Sequence, residues 1–290
     1  MGLHRLGFIA VAGLISLYMV AVAQAQNKSS SGCWPWPDSL DGVIASPQNH
    51  TVIYEDDNIR VLDVHTPPGT INNMHDHQWS SVFLYYEAQP NGRDHKNDGK
   101  VTPVGGAVPL DAPFPLLQVS GPQAPHAYEN MDTFLKHFYR VEFKKIPFKC
   151  PAEIRTATAP KDLTDSLPQV KSATWPWPAS MYSVEASPAN HKVLLDNANI
   201  RLVEVTILPG EREKMGGSPW TSALLFYEPQ PKGRDTSKDG KVTEVGRRLE
   251  GADFPVAVRV GPEPPHAFEN TDTFRAHYYQ VEFKQEKFRS

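Results

Sequence analysis

Charge of one sign is not in excess in this chain: 29 Lys and Arg stand against 33 Asp and Glu, a formal net charge of −4. No basic field therefore exists to attract a nucleic-acid backbone. No segment sustains a helical period. The 27 prolines and 19 glycines are spread along the chain rather than clustered, a distribution that favours many short strands joined by turns over long helices. Cysteine is confined to Cys33 and Cys150.

Long hydrophobic runs are missing too, apart from one. "LGFIAVAGLISLYMVAVA" follows the short polar start His4-Arg5 and leads into Ala23-Gln24-Ala25, the small-x-small pattern of a signal-peptidase site. No basic stop-transfer cluster follows. Residues 1–25 are accordingly expected to be a signal peptide, with the mature chain starting at Gln26, exported to the periplasm or secreted, and keeping no stable membrane anchor after cleavage. In an oxidising compartment Cys33 and Cys150 are expected to pair. Closing so long a loop contributes up to about 4 to 5 kcal/mol in the chain-entropy model.

What the chain does have is a tandem repeat. "WPWPDSLDGVIASPQNHTVIYEDDNIRVLDV" from Trp34 matches "WPWPASMYSVEASPANHKVLLDNANIRLVEV" from Trp175, and "GPQAPHAYENMDTFLKHFYRVEFK" matches "GPEPPHAFENTDTFRAHYYQVEFK". The reading is two domains of one fold, residues 34–148 and 175–288, joined by a polar, proline-bearing linker at 149–173. Within each copy, alternating segments such as "IRVLDVHT" and "FLKHFYRVEFK", with turn signals such as "PNGRD" and "KNDGK", predict an all-β sandwich or double-sheet jelly roll.

Two segments of the first copy carry candidate chemistry. "GTINNMHDH" places His75 and His77 two apart, so that in a strand both share one face while Asp76 takes the other. "GPQAPHAYEN" supplies His126. In order and spacing these segments resemble the first and second motifs of the cupins, and their repetition makes the mature chain similar to a bicupin. The resemblance implies two tandem cupin-like jelly-roll β-barrels, each able to hold one metal through two histidines and a glutamate of the first motif and one histidine of the second. This chain departs from that pattern: where the glutamate should fall it reads "QWSSV", and Val82 cannot ligate. The expected ligand set is therefore His75, His77 and His126, resembling the three-histidine cupin dioxygenases. One divalent transition metal per chain is expected, Fe(II) first, with Mn, Ni, Cu or Zn also compatible.

In the second copy Gly216 and Ser218 replace the histidine pair and leave only His266, so that domain is expected to be degenerate and metal-free. His50 and His191 persist in both copies, which marks them as structural. Trp79 and Trp220, also shared, read as core. His137 and Tyr139 alternate with Val141 and Phe143, are expected to face the barrel interior, and are candidates for proton transfer or for orienting dioxygen. The functional expectation is an exported metalloenzyme of dioxygenase, isomerase or lyase type. It would act on a small bidentate substrate such as a phenol, a keto acid or a sugar acid. The alternative is a noncatalytic small-ligand module; nucleic acid is not a partner, and a homo-oligomer is compatible with the sequence. Thiol labelling of the unreduced, denatured mature protein should find no free thiol at Cys33 or Cys150; two free thiols contradict the pairing.

Overall fold

The computed structural model describes residues 34–104, 114–146, 154–156 and 175–284. The expected leader, both cysteines and most of the linker lie outside the described residues. The structure is all-β. In the first copy the strands are β1 (His50–Glu55), β2 (Ile59–Thr66), β3 (His75–His77), β4 (Ser80–Tyr85), β5 (Gly92–Lys96), β6 (Val101–Val104), β7 (Leu116–Ser120), β8 (Gln123–Asn130), β9 (Lys136–Phe143) and β10 (Ile154–Thr156). They form two antiparallel sheets, β1-β2-β9-β4-β7-β10 and β3-β8-β5-β6.

The second copy repeats the plan with β11 (His191–Asp196), β12 (Ile200–Ile207), β13 (Gly216–Ser218), β14 (Ser222–Phe226), β15 (Gly233–Ser237), β16 (Val242–Val245), β17 (Val256–Val260), β18 (Glu263–Asn270) and β19 (Ala276–Phe283). Its sheets are β11-β12-β19-β14-β17 and β13-β18-β15-β16. Between the "WPWP" segment and the first strand of each copy a 3-10 turn is followed by one turn of α-helix, α1 (Gly42–Ala45) and α2 (Ser183–Ala186). The side chain of Asp41 accepts from the Val43 amide at 3.0 Å and caps α1.

Alternation along β9 decides what the cavity contains. Lys136, Phe138 and Arg140 line a cavity between the two sheets of the first unit, and Glu142, two residues further on, shares that face. The other set, Tyr139, Val141 and Phe143, joins Ile59, Val61, Val82 and Leu84 on the opposite face of the large sheet. That face packs on its counterpart from the second copy, where Ile200, Leu202, Leu225, Tyr279, Val281 and Phe283 complete one shared apolar core. Reciprocal ring contacts cross it, Tyr86 to Phe283 at 6.2 Å and Phe143 to Tyr227 at 6.0 Å. Asn199 donates to the Tyr139 hydroxyl across the same contact at 3.2 Å.

This placement corrects the expectation for His137 and Tyr139: both face the contact between the two units, on the far side of the sheet from the cavity. Here the apolar set joins domain to domain, and the polar set faces the site. At the rim of that contact, His137 donates from Nε2 to Asp63 at 2.7 Å and from Nδ1 to Glu87 at 2.5 Å. These two carboxylates outweigh burial and raise the imidazole to about 9.

Tyr139 is 1% exposed and stacks on Tyr86 with ring centroids 5.1 Å apart. Tyr139→Ala should therefore cost about 3 to 5 kcal/mol in denaturant unfolding, with bound metal per folded chain unchanged. Loss of metal at unchanged stability would place Tyr139 in the site instead.

Candidate metal centre

The floor of the first cavity is built from imidazoles brought in by three strands. His75 and His77 come from β3, His126 from β8 where it pairs with His75, and His50 from the start of β1. Ring centroids of His75 lie 4.4 Å from His50, 5.1 Å from His77 and 4.6 Å from His126, while His77 and His126 are 5.9 Å apart. The tightest trio is His50, His75 and His77, whose ligand-capable atoms all fall within 4.8 Å of one another. The three residues expected from the sequence, His75, His77 and His126, lie together here, and His50, expected to be structural, stands beside them.

Each ring has its Nδ1 engaged by an acceptor. His50 donates to Ser46 O at 3.2 Å, His75 to Asn73 O at 2.7 Å, His126 to Ala124 O at 2.9 Å, and His77 to the carboxylate of Glu142 at 2.8 Å. A carbonyl or carboxylate oxygen only accepts, so the proton of each neutral ring sits on Nδ1 and the Nε2 lone pair is left for a Lewis acid. No Nε2 of the four has a hydrogen-bond partner among the described residues. Burial holds all four neutral: His50 falls to about 3, His126 to about 4, and His75 and His77 lie well below the usual imidazole range. Buried neutral imidazoles with oriented, unshared nitrogens are the donor set a divalent transition metal requires. The fit holds on this geometry.

Two features of the site have no signal in the sequence reading. Glu142, 0% exposed, accepts from His77 on one oxygen and from Arg60 Nε at 2.6 Å on the other. Gly42 on α1 lies under the rings, where an added Cβ would meet His77 Cε1 at 2.9 Å, His75 Cδ2 at 3.3 Å and His50 Cδ2 at 3.4 Å. Above the floor is a cavity of about 500 Å³, walled by Val64, Phe83, Tyr85, Leu116, Leu117 and Phe138, with Arg140, Lys136, Gln118 and Gln123 as polar groups.

In the second barrel the same positions are rebuilt. Ser218 replaces His77 and its hydroxyl donates to Glu282 at 2.6 Å; Gly216 replaces His75. His191, the counterpart of His50, has its Nε2 held by Glu213 at 2.6 Å, at the position of Asn72. His266 keeps the backbone bond of His126, to Pro264 O at 3.0 Å, beside a cavity of only about 70 Å³. Among the described residues, no three ligand atoms of this barrel come within 4.8 Å of one another. A further cluster, Asp63, His65 and His137, lies on the outer face, where His137 already donates from both nitrogens and has no lone pair to offer. Trp79 and Trp220 lie under arginines in both copies, Arg60 at 4.6 Å and Arg201 at 4.9 Å.

Solved structures that the chain resembles include proteins described as cupins. They include a cupin domain from Bordetella pertussis Tohama I, at 12% identity over 33% of this chain and 92% of that one, with a TM-score of 0.26. A cupin 2 conserved barrel domain protein from Leptotrichia buccalis aligns at 12% identity over 81% and 88%, with a TM-score of 0.25. A point mutant of Bacillus subtilis oxalate decarboxylase aligns at 16% identity over 80% and 70%, with a TM-score of 0.26. No family model matches the chain, and no curated protein matches it. At such identities and scores the chemistry of the site stands on its own geometry.

Gly42→Ala should push the His77 ring off its position and weaken metal affinity by roughly tenfold or more, as loss of ligand orientation does, measured by competition with a chelating dye. A pH effect follows as well. The four imidazoles are harder to protonate folded than unfolded, so the unfolded chain takes up more protons as pH falls below about 6.5. Stability of the metal-free protein should therefore fall from about pH 6.5 down to at least about pH 3, the upper bound set by the ordinary imidazole value and the lower by His50. Urea unfolding at several pH values should show a shallower fall for His75→Gln/His77→Gln; identical slopes contradict the burial of neutral rings.

Proposed function

We propose that the first barrel binds one divalent transition metal through its buried imidazoles and acts on a small organic substrate in the cavity above them, as an exported mononuclear metalloenzyme of oxygenase, isomerase or lyase type. The observation that carries this reading is the set of four buried neutral imidazoles, each with Nδ1 occupied and Nε2 unshared, at the floor of a cavity of about 500 Å³. His75, His77, His126 and His50 would hold the ion. When bound, it supplies a Lewis acid and a template for orienting the substrate, and Fe(II) or Mn(II) would add redox capacity.

The chain's own groups do the rest. Glu142 fixes the ring of His77, and the aromatic and aliphatic walls exclude water. His137 and Tyr139, on the other face of the sheet, are not the proton carriers. Lys136 is better placed, since it lines the cavity and burial brings its ammonium down to about 7. It can therefore give or take a proton near neutrality. The second barrel, without the ligand set, contributes the sheet on which the first is packed.

Elemental analysis of the purified mature protein should find one transition metal per chain, lost in His75→Ala/His77→Ala and retained in His266→Ala. Two metals per chain, or undiminished metal in the double variant, overturns this reading.

A further inference from the structure

Arg140 is a buried cation whose hydrogen-bonding capacity is only partly used. It is 2% exposed and lines the first cavity. Its Nη1 donates to Gln123 at 2.6 Å, but Nη2 and Nε have no hydrogen-bond partner, Nε merely lying 3.3 Å from Glu142. Leaving guanidinium donors buried and unsatisfied is costly. The group is also next to the imidazole floor, because the Glu142 oxygen it approaches is the one that accepts from His77. Its Cζ lies 4.8 Å from the ring centroid of Phe83.

Four residues back on the same face of β9, about 13 Å along the strand, Lys136 forms a second cationic point. Its Nζ lies 3.2 Å from the centroid of Tyr128 and has no hydrogen bond from the described residues. Nearby Asp94 is paired with Lys96 instead. Between the two cations the wall is apolar, with Phe138 and Leu117.

The chain contains its own comparison. Where the second copy has lost the histidine pair, Arg140 is replaced by Gln280 and Lys136 by Ala276. Gln280 donates to Ser222 at 3.1 Å, whereas the matching Ser81 hydroxyl in the first copy has no partner. A glutamine thus satisfies this position internally, and the arginine is present only where the imidazole site is.

We infer that the substrate of the first barrel is an organic anion whose carboxylate takes the unpartnered Nη2 of Arg140 beside the imidazole floor, with an apolar body along Phe83 and Phe138 and any second anionic group directed to Lys136. A carboxylate takes a charge-assisted hydrogen bond from a guanidinium donor, a stronger contact than a neutral phenol makes. This inference rests on the first cavity being the working site and deepens that reading by choosing the acid over the phenol.

The test is isothermal titration of the zinc-loaded mature chain with 3-phenylpropionate, hexanoate and glutarate, and with 3-phenylpropionamide as the uncharged isostere. At least one acid should bind, and 3-phenylpropionate should bind roughly tenfold or more tighter than its amide, as a hydrogen bond to a charged group implies. Arg140→Gln should abolish that preference while keeping zinc content and the far-ultraviolet spectrum, and Arg140→Lys should restore part of it. Equal binding of acid and amide, binding of no acid, or an undiminished preference in Arg140→Gln overturns the inference. The acid-to-amide ratio of the unmodified protein decides the matter even if a variant fails to fold. Zinc content of the His75→Ala/His77→Ala protein is read in parallel. Undiminished zinc there is a failure of the metal reading, distinct from a failure of the carboxylate one.

Discussion

Glu142 sits on β9 beside the imidazole floor, and the local structure turns on its two oxygens. One orients His77, and the other holds Arg60, which in turn donates to Asp41 at 3.0 Å. Asp41 caps the helical turn that carries Gly42 under the rings. The carboxylate therefore connects the position of a ligand, the position of the turn beneath it and the charge balance of two buried arginines. Removing one member of such a buried set leaves uncompensated charge, at a cost of about 3 to 5 kcal/mol. The aromatic and apolar contact on the other face of β9 has no such dependence.

The two copies show how one fold is retained while its chemistry is exchanged in matched groups. Gly42 accompanies His75; in the second copy Ser183 accompanies Gly216, where an added Cβ would meet the Ser183 backbone at 2.8 Å. Small and large residues have traded sides of one contact, as close packing requires. Asn72 leaves His50 Nε2 unshared, while Glu213 takes the same nitrogen of His191. Arg140 stands with the imidazoles, and Gln280 stands with a closed hydrogen-bond network. Absence of the histidine pair is thus accompanied by filling of its space.

Much of this is legible in the sequence, because repetition and period-two alternation are local signals. The strands, the tandem plan and the shared face of His75 and His77 follow from them, while the nearness of His126 follows from the resemblance to the two cupin motifs. Which face of β9 looks inward is not legible: His137, Tyr139, Val141 and Phe143 form the more apolar set, and only the packing of a second sheet on the outside explains why they face away from the cavity. His50 escapes the sequence for a related reason. Its presence in both copies says nothing of whether its nitrogen is free, which is decided by a residue more than twenty positions away, Asn72 in one copy and Glu213 in the other. Glu142 belongs to a "VEFK" shared by both copies, and its partners come from distant strands.

The central claim is that the imidazole nitrogens of the first barrel converge on one ion while the second barrel holds none. Anomalous diffraction from crystals of the mature protein, collected at the absorption edge of the bound metal, tests this most directly. The expected map has a single peak per chain, about 2.0 to 2.2 Å from Nε2 of at least three of His50, His75, His77 and His126. A peak among Glu213, Glu263 and His266, a peak on the outer face at Asp63 and His65, or no peak in a protein shown to contain metal contradicts it.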